Sequence, residues 1–295
     1  MEHSAYQTQY TAFVSMTEKR LTELSAQYLP ASSRIGQAAQ YSLLGGGKRV
    51  RAVLVLAACE LASSDPARAV DYAVALEMLH CYSLIHDDLP CMDNDDTRRG
   101  RPSCHRQFDE ATALLAADAL VTAAFEVIAN APLPAESRVK AAAHLSGAGG
   151  ARGMLYGQEL DKHYETVRAT ESELLNLHAH KTGALIIAGT DLGCDAAGAS
   201  SEQRTALAHY AAELGLVFQI VDDILDVTST TEQLGKPVGS DEANDKTTFI
   251  TLYGLEGARR LAESHNEAAM AALTPLGKPA EFLCEMAREL LRRDK

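Results

Sequence analysis

The sequence of 295 residues is short of positive charge and contains no tryptophan. Its 27 Lys and Arg against 40 Asp and Glu give a formal net charge of −13. Because nucleic acids and anionic membrane surfaces are bound by basic surfaces, this balance argues against both as partners. Hydrophobic residues make up 46% of the chain, which is enough for a sizeable core and excludes a disordered protein.

Signals for export or membrane insertion are also missing. The six cysteines form no C-x-x-C pair, and the opening MEHSAYQTQY lacks the basic and then apolar pattern of a signal peptide. No uninterrupted apolar run reaches about 20 residues, the length that a membrane-spanning helix needs. We therefore expect a soluble, cytoplasmic protein with reduced thiols.

Proline, the main helix breaker, is absent from Ala135 to Lys236. Ala, Leu and Glu are abundant there, and apolar residues recur at intervals of three and four. One such stripe consists of Leu207, Tyr210, Ala211, Leu214, Val217, Phe218, Val221, Ile224 and Leu225. Alternating strand patterns are hard to find, and no stretch is typical of an interdomain linker. We predict an all-α protein of about ten helices that forms one domain over residues 1–295.

An acidic cluster follows one apolar helical run. Five carboxylates fall within the ten positions from Asp87 to Asp96. Pro90 disfavours helix at Leu89, so the helix should end near Asp88. Acids at that end face the negative pole of the helix and repel one another, and a bound cation would stabilise them. A solvated acidic loop is the alternative interpretation.

A second acidic cluster lies inside an apolar helix. Asp222 and Asp226 share a face with Gln219, and like charges at that spacing destabilise a helix without a counter-ion. Oxygen ligands suit a hard ion such as Mg²⁺, which binds through a few carboxylates and substrate phosphates. We hypothesise that the two clusters face each other across a bundle interior and hold metal ions on a polyphosphate.

Basic residues stand beside glycines and beside these acids. GGGKRVR (45–51) joins a flexible loop to a helix start, where backbone N–H groups and basic side chains can bind phosphate. It lacks the spacing of a Walker A loop. The other basic candidates are Arg98, Arg99, Lys181, Lys236 and Lys246. Each alone is interpretable as a solvated base, but together they match a site for two diphosphates.

These motifs together resemble the trans-isoprenyl diphosphate synthases, and most closely the bacterial farnesyl diphosphate synthases. The matching segments are GGGKRVR (45–51), LHCYSLIHDDLPCMDNDDTRRGRP (79–102), KTGAL (181–185), FQIVDDILD (218–226), GKPVGSD (235–241) and KTT (246–248). They occur in family order over most of the chain. The resemblance implies an isoprenoid synthase-type helical barrel around a deep cavity, usually in a homodimer. It also implies condensation of isopentenyl diphosphate with dimethylallyl and geranyl diphosphate to give farnesyl diphosphate.

Site roles follow from the resemblance by motif position. The implied ligands of about three Mg²⁺ ions are Asp87, Asp93 and Asp222. The acids that would orient metal-bound water and neighbouring bases are Asp88, Asp223 and Asp226. The bases on the allylic diphosphate would be Arg98, Lys181 and Lys246, with Lys236 close by. The groups holding isopentenyl diphosphate would be Lys48, Arg51, His80 and Arg99.

Other polar groups would act on the allylic cation or pack the helices. The Thr182 hydroxyl, the Lys181 carbonyl and the Gln219 amide oxygen present negative dipole ends to a cation. His80 lies two turns before Asp87 on the same helical face. We interpret His86 as a packed or supporting residue, and His178, His180 and all six cysteines as structural.

Product length is implied by the residues four and five positions before the first motif, Ser83 and Tyr82. In the family they form a floor for the growing chain, and five residues place Tyr82 roughly 7–8 Å below Asp87. A bulky tyrosine favours a C15 product over C20. Ordinary helix packing of Tyr82 is the alternative.

Other classes of protein fit the motifs less well. A non-catalytic prenyl-diphosphate-binding subunit would lack an aspartate motif or the basic set, whereas this chain has both. A terpene cyclase needs no second diphosphate pocket. GGGKRVR indicates that this chain has such a pocket, which argues against a cyclase. A calcium loop would need a glycine at its sixth position, which is missing after Asp93.

Overall fold

The computed structural model describes residues 1–228 and 246–293, and the chain folds into two compact units. The N-terminal unit comprises Gln7–Ala143 and Leu192–Ala199. The C-terminal unit comprises Met1–Tyr6, His144–Asp191 and the described part of Ser200–Lys295. The prediction of one domain over the whole chain stays a prediction.

Helices dominate the N-terminal unit. In chain order its elements are α1 (His3–Tyr28, from Gln7 onward), α2 (Arg34–Leu43), α3 (Val50–Ser63), a 3₁₀ turn (Pro66–Ala69), α4 (Val70–Asp87), β1 (Thr97–Arg98), β2 (Arg101–Pro102), α5 (Cys104–Gln107), α6 (Glu110–Asn130) and the first part of α7 (Ala135–Gly149). The two strands pair antiparallel, with Thr97 opposite Pro102 and Arg98 opposite Arg101.

The C-terminal unit is also helical. After the end of α7 its elements are α8 (Met154–Tyr164), α9 (Glu171–His178), a π-helical turn (Ala179–Gly183), α10 (Ala184–Ala197, to Asp191), α11 (Ser201–Thr228), α12 (Phe249–Ala272), 3₁₀ turns at Thr274–Leu276 and Lys278–Ala280, and α13 (Glu281–Leu291). The described residues thus form thirteen α-helices, against about ten predicted, because short segments such as α5 count as helices. The all-α class is confirmed, since strands in the described ranges are limited to one hairpin.

Helix α4 forms the centre of the N-terminal unit and packs against α3 and α6. Tyr72, Leu76 and Met78 on this helix are fully buried, and burying a side chain of this size stabilises a fold by about 1.5–3 kcal/mol. The helix ends at Asp87, with Asp88 as its C-cap residue, as Pro90 predicted. Its last turn therefore carries the first acidic cluster.

Helix α11 forms the core of the C-terminal unit together with α12. The predicted apolar stripe is confirmed, because Leu207, Leu214 and Val217 are fully or almost fully buried. Phe249, the first residue of α12, belongs to the same core cluster. The second acidic cluster lies in the last turns of α11.

Among the described helices, α6 alone is long and apolar enough to cross a membrane by length and composition. Half of its most apolar window is buried within the protein, and Ala116, Leu120 and Ala124 lie on the buried face. A core helix of a soluble protein passes the same test.

Candidate active site residues in the two units

The acidic loop after α4 folds back on the helix end. Asp93 N–H donates to the Asp87 carbonyl oxygen at 2.8 Å, and Asn94 N–H donates to the Leu89 carbonyl oxygen at 3.1 Å. Asn94 adopts the left-handed conformation, with φ of 55°, which makes this tight return possible. The backbone thus brings Asp87, which is partly buried, next to Asp93, which is exposed. Both offer the hard oxygen donors that a divalent cation requires.

Asp88, the residue between helix and loop, is almost fully buried and paired with Arg98. Arg98 Nε lies 2.9 Å and Nη2 2.5 Å from Asp88 Oδ1, and Nη2 also lies 3.0 Å from Asp95 Oδ2. Burial raises the pKa of Asp88, and Arg98 opposes that shift. Asp88 therefore holds Arg98 in one position, and its role in orienting metal-bound water and bases stays a prediction.

The β-hairpin presents Arg99 to the glycine loop. Arg99 and Gly100 both have positive φ, 54° and 73°, which is the geometry of a tight two-residue hairpin turn. Arg99 Nη1 donates to the Gly46 carbonyl oxygen. A Cβ on Gly47 would lie 2.9 Å from Arg99 Cζ, so any side chain at Gly47 would displace the guanidinium. Burial lowers the pKa of Arg99, and an anion bound beside it would offset this penalty.

His80 lies among arginines in the same unit. Its Nε2 is 3.3 Å from Arg51 Nη1, and burial and then Arg51 hold the pKa of His80 well below its usual value. The imidazole is therefore neutral at pH 7. The charges of Arg51 and Arg99 both act on His80, so the N-terminal unit brings together three of the four groups predicted to hold isopentenyl diphosphate. The fourth, Lys48, is exposed on the adjoining glycine loop.

The two residues predicted to limit product length are buried in α4. The Tyr82 ring packs edge-on against His86 with ring centroids 5.6 Å apart, and burial raises the pKa of Tyr82 to about 12. Ser83 Oγ donates to the His80 carbonyl oxygen at 2.8 Å. These contacts are compatible with both interpretations of Tyr82, so the floor stays a prediction.

A cavity of about 190 Å³ lies in the C-terminal unit. Its lining includes five of the predicted residues, Lys181, Gln219, Asp222, Asp223 and Lys246. His178, interpreted from sequence as structural, lines it too and stacks on Phe249 with ring centroids 5.4 Å apart. Burial, and next the charge of Lys181, lowers the pKa of His178 to about 3, so this imidazole is neutral at pH 7.

Asp161 is the functional candidate that sequence reasoning missed. Lys181 Nζ lies 2.5 Å from Asp161 Oδ2, and Lys246 Nζ lies 3.8 Å from Asp161 Oδ1. Although burial opposes ionisation, these two ammonium groups lower the pKa of Asp161. The sequence offered one signal for this contact, Gly157 in the same helix as Asp161. An isolated glycine in a helix indicates close packing against another segment, which here is the backbone at Lys181.

Lys181 and Thr182 stand on a π-helical turn between α9 and α10, within the proline-free stretch for which regular helix is predicted. The turn is packed between two helices at glycines. A Cβ on Gly157 of α8 would collide with the Lys181 backbone nitrogen, and a Cβ on Gly215 of α11 would lie 3.0 Å from Gly183 Cα. Such turns are frequent at functional sites.

A chain of hydrogen bonds orients Thr182. Thr182 Oγ1 donates to Gln219 Oε1 at 3.2 Å, and Gln219 Nε2 donates to Asp223 Oδ1 at 3.2 Å. Asp223 Oδ2 accepts the backbone N–H of Phe249 at 2.9 Å, so the carboxylate also holds the start of α12. The negative charge of Asp223 thus polarises the chain toward the Thr182 oxygen.

The remaining acids of the second cluster differ in exposure. Asp222 Oδ1 accepts from Arg293 Nη1 at 2.8 Å, and Arg293 also lies over the Phe218 ring at 5.1 Å. Asp226 is 2% exposed, whereas Asp222 is partly buried and lines the cavity. Lys236 lies outside the described residues. Asp222 presents carboxylate oxygens, the donor type that Mg²⁺ prefers, to the cavity, and Arg293 occupies one of these oxygens.

One further group of potential metal ligands occurs in the C-terminal unit. The ligand atoms of His3, Glu285 and Glu289 lie within 4.8 Å of one another. Arg292 pairs with both glutamates, at 3.8 and 3.3 Å, and its positive charge opposes a metal ion. We therefore assign this group no metal.

Comparison with known proteins covers most of the chain. A family model for polyprenyl synthetases matches residues 32–274. The farnesyl diphosphate synthase of Micrococcus luteus is 44% identical over 91% of this chain and 92% of its own length. Geranylgeranyl pyrophosphate synthase 9 from Arabidopsis thaliana chloroplasts is 46% identical over 78% of this chain and 65% of its own length. The solved structure of a geranyltransferase from Helicobacter pylori, complexed with magnesium and isoprenyl diphosphate, has a TM-score of 0.84 and 35% identity over 96% of both chains.

Proposed function

The chain belongs to the polyprenyl synthetase family and shares its all-α fold, and from this premise we propose that it condenses isopentenyl diphosphate head-to-tail with dimethylallyl and then geranyl diphosphate. The product is (E,E)-farnesyl diphosphate. One observation carries the proposal: Asp87 and Asp93 meet at a helix end in the same unit in which Arg99 lies against the glycine loop of Lys48. Carboxylates for a metal and bases for a diphosphate are thus both present.

The acids have two proposed tasks. Those that would hold about three Mg²⁺ ions are Asp87, Asp93 and Asp222. Those that would orient water and bases around them are Asp88, Asp223 and Asp226. When bound, the metal supplies positive charge that stabilises the leaving diphosphate.

The bases proposed for the allylic diphosphate are Arg98, Lys181 and Lys246, with Lys236 beside them. Lys181 and Lys246 converge on Asp161 in the structure. A diphosphate carries more negative charge than one carboxylate, so both ammonium groups would turn toward it. Asp161 then keeps the two lysines close together until the substrate binds.

Ionisation breaks the allylic C–O bond, and the electron pair leaves with the diphosphate. Thr182 uses its only proton to bond Gln219, so its oxygen lone pairs are available to the allylic cation. The Lys181 carbonyl and the Gln219 amide oxygen supply further negative dipole ends. Water must be excluded, because it would convert the cation to an alcohol.

The second substrate attacks that cation. Lys48, Arg51 and Arg99 bind the isopentenyl diphosphate by charge, and neutral His80 adds a hydrogen bond. The π electrons of its double bond form the new C–C bond. A proton then leaves the neighbouring carbon for the departed diphosphate, which restores the double bond.

Tyr82 and Ser83 are proposed to limit the product to C15. Tyr82→Ala should therefore lengthen the product to C20, because the buried ring no longer blocks the chain. Tyr82→Phe keeps the ring and is the matched control, with a C15 product expected. An unchanged C15 profile for Tyr82→Ala would refute the floor.

The surroundings of the reaction are also proposals. We expect a homodimer in the cytoplasm that uses Mg²⁺ and binds neither nucleic acid nor membrane, in keeping with the net charge of −13. The partners are the three diphosphate substrates.

A product assay tests the function directly. Purified protein, Mg²⁺, isopentenyl diphosphate and dimethylallyl or geranyl diphosphate are incubated, and the dephosphorylated products are sized by chromatography. Farnesol confirms the proposal. Geranylgeraniol would confirm the condensation reaction and show that the predicted C15 product length is wrong. If folded, metal-loaded protein gives no condensation, a non-catalytic binding subunit is favoured.

A further inference from the structure

Arg49 differs from the two basic residues beside it in the glycine-loop motif. Its backbone is left-handed, with φ of 53° and ψ of 30°, a strained conformation for a residue that carries a Cβ. Its side chain is only 1% exposed, whereas Lys48 is exposed and Arg51 is partly buried. A guanidinium this deeply buried cannot reach a diphosphate. Arg49 must therefore serve another purpose in the motif.

The Arg49 guanidinium ties together the segments on both sides of the loop. Its Nη2 donates to the Leu43 carbonyl oxygen at 2.8 Å, at the end of α2. Its Nη1 lies 3.1 Å from Glu77 Oε2, and Glu77 Oε1 accepts the backbone N–H of Ala52 in the first turn of α3 at 3.2 Å. The loop is thus fixed before its first glycine and after its last.

Helix α1 adds two more contacts to the same loop. Glu18 Oε1 accepts from Arg49 Nε at 2.6 Å, and the Tyr10 hydroxyl donates to the Lys48 carbonyl oxygen at 2.6 Å. Burial, and next the charge of Glu77, raises the pKa of Tyr10 to about 12, so the hydroxyl remains a donor at neutral pH. The two glutamates together outweigh the single charge of Arg49, which leaves no positive charge there for a ligand.

We propose that Arg49 is a positioning residue, which with Glu18, Glu77 and Tyr10 fixes the glycine loop so that Lys48 and Arg51 meet isopentenyl diphosphate without rearrangement. We call these four residues the loop anchor. The inference rests on the proposed function, because it assumes that Lys48 and Arg51 bind that substrate. A preformed loop avoids the entropy cost of ordering on binding, so the anchor acts on affinity for one substrate.

Arg49→Met tests the side chain directly. It should raise the KM for isopentenyl diphosphate at least tenfold, leave the KM for geranyl diphosphate within twofold, and change kcat little when both substrates saturate. Arg49→Lys keeps the charge without the directional contacts. Its KM for isopentenyl diphosphate should lie between those of the wild-type protein and Arg49→Met. Arg49→Gly relieves the left-handed strain, so a rise in KM equal to that of Arg49→Met assigns the effect to the lost guanidinium.

Milder variants cover the case in which Arg49→Met does not fold. Tyr10→Phe removes one hydrogen bond from Lys48, and Glu77→Gln keeps the acceptor for Ala52 without the charge. Each should raise the KM for isopentenyl diphosphate about threefold. Circular dichroism and thermal unfolding would confirm that these variants are folded.

The matched control is Arg20→Met. Arg20 of α1 pairs with Asp71 of α4 at 2.6 and 3.2 Å, so it links the same two helices away from the loop. This variant should lower Tm and leave the KM for isopentenyl diphosphate unchanged. If the anchor variants lower Tm in the same way without changing the ratio of the two KM values, the anchor is only structural and the inference is wrong.

Calorimetric titration with isopentenyl diphosphate alone separates the inference from the proposed function. A wild-type protein that binds this compound but forms no product would refute the proposed function, while weaker binding by Arg49→Met would still support the anchor. If the wild-type protein does not bind isopentenyl diphosphate, the roles of Lys48, Arg51 and the anchor all fail. Equal affinity of the two proteins would refute the anchor alone.

Discussion

The two units hold their positive charge in different ways. In the N-terminal unit Arg98 bonds Asp88 through two nitrogens, and Arg99 is held against the glycine loop. In the C-terminal unit Lys181 and Lys246 both pair with Asp161, at 2.5 and 3.8 Å, and Lys246 also pairs with Glu165 at 3.6 Å. A guanidinium fork fixes a direction, whereas an ammonium on a flexible stem is a point charge that can turn toward a new partner.

This difference matches the fates of the two diphosphates in the proposed reaction. The diphosphate of isopentenyl diphosphate stays attached to carbon, so fixed donors such as Arg99 suit it. The allylic diphosphate gains charge and separates from its carbon, so mobile donors such as Lys181 suit it. Arg99 and Lys181 represent these two tasks, while the fixed Arg98 belongs to the proposed allylic set and the exposed Lys48 to the isopentenyl set. The experiments that follow test the division at Arg99 and Lys181.

The largest effect on kcat is expected at the proposed metal-binding carboxylates, which occur in both units. Asp87→Asn in one unit and Asp222→Asn in the other should each lower kcat by roughly 10²–10³-fold, because each removes a proposed ligand of the metal that would stabilise the leaving group. Asp96→Asn is the matched control, since Asp96 belongs to the same acidic run but pairs with Arg106. A fall in kcat for only one of the two variants would contradict the metal-ligand role proposed for the other residue.

Exchange of the two cation types should have an effect of roughly tenfold. Arg99→Lys loses the contact with Gly46 and should raise the KM for isopentenyl diphosphate. Lys181→Arg places a rigid fork on the π-helical turn and should lower kcat instead. Steady-state kinetics with each substrate varied in turn measure both, and the same parameter changing in both variants would contradict the division of tasks.

The buried histidine of the C-terminal unit should make stability depend on pH. The pKa of His178 is lowered to about 3 in the folded protein, so between pH 3 and 6.5 the unfolded chain binds more protons at this residue. Stability from His178 is complete above pH 6.5 and falls as the pH drops. The loss between pH 6.5 and 5 should be about 1.5 kcal/mol in the free energy of unfolding.

His178→Gln should flatten this pH dependence, measured by urea unfolding at several pH values. His180→Gln is the control two residues away, in the π-helical turn that follows α9. Equal slopes for the wild-type protein and His178→Gln between pH 5 and 6.5 would show that His178 does not carry the effect.

Much of the fold was predictable because it depends on local patterns. Pro90 predicted where α4 ends, and the spacing of apolar residues predicted α11 and its buried face. The motif resemblance predicted the family, which the comparisons confirm. It also predicted the site residues, whose roles stay predictions, and within each unit the structure brings several of them together.

The parts that sequence did not predict are pairings between distant residues. Asp161 meets Lys181 across 20 positions, and Arg49 meets Glu77 across 28. Periodicity shows which face of a helix is buried, but it does not show which residue of another helix lies opposite. The π-helical turn was missed for the same reason, because it depends on close contacts at Gly157 and Gly215, far from it in sequence.

The smallest effect is expected at Asp222, a proposed metal ligand of the C-terminal unit that pairs with an arginine. Arg293, a guanidinium in the C-terminal unit, pairs with this proposed metal ligand at 2.8 Å and competes with a metal ion for it. Arg293→Met should therefore tighten Mn²⁺ binding in the presence of inorganic diphosphate by up to roughly fivefold, since a pair this exposed contributes at most about 1 kcal/mol. Electron paramagnetic resonance of free Mn²⁺ gives the affinity.

Arg292→Met removes a neighbouring charge that pairs with Glu289 and should leave the affinity unchanged. Equal tightening in both variants would mean that Arg293 acts only through its net charge, and the guanidinium would then have no particular role at Asp222.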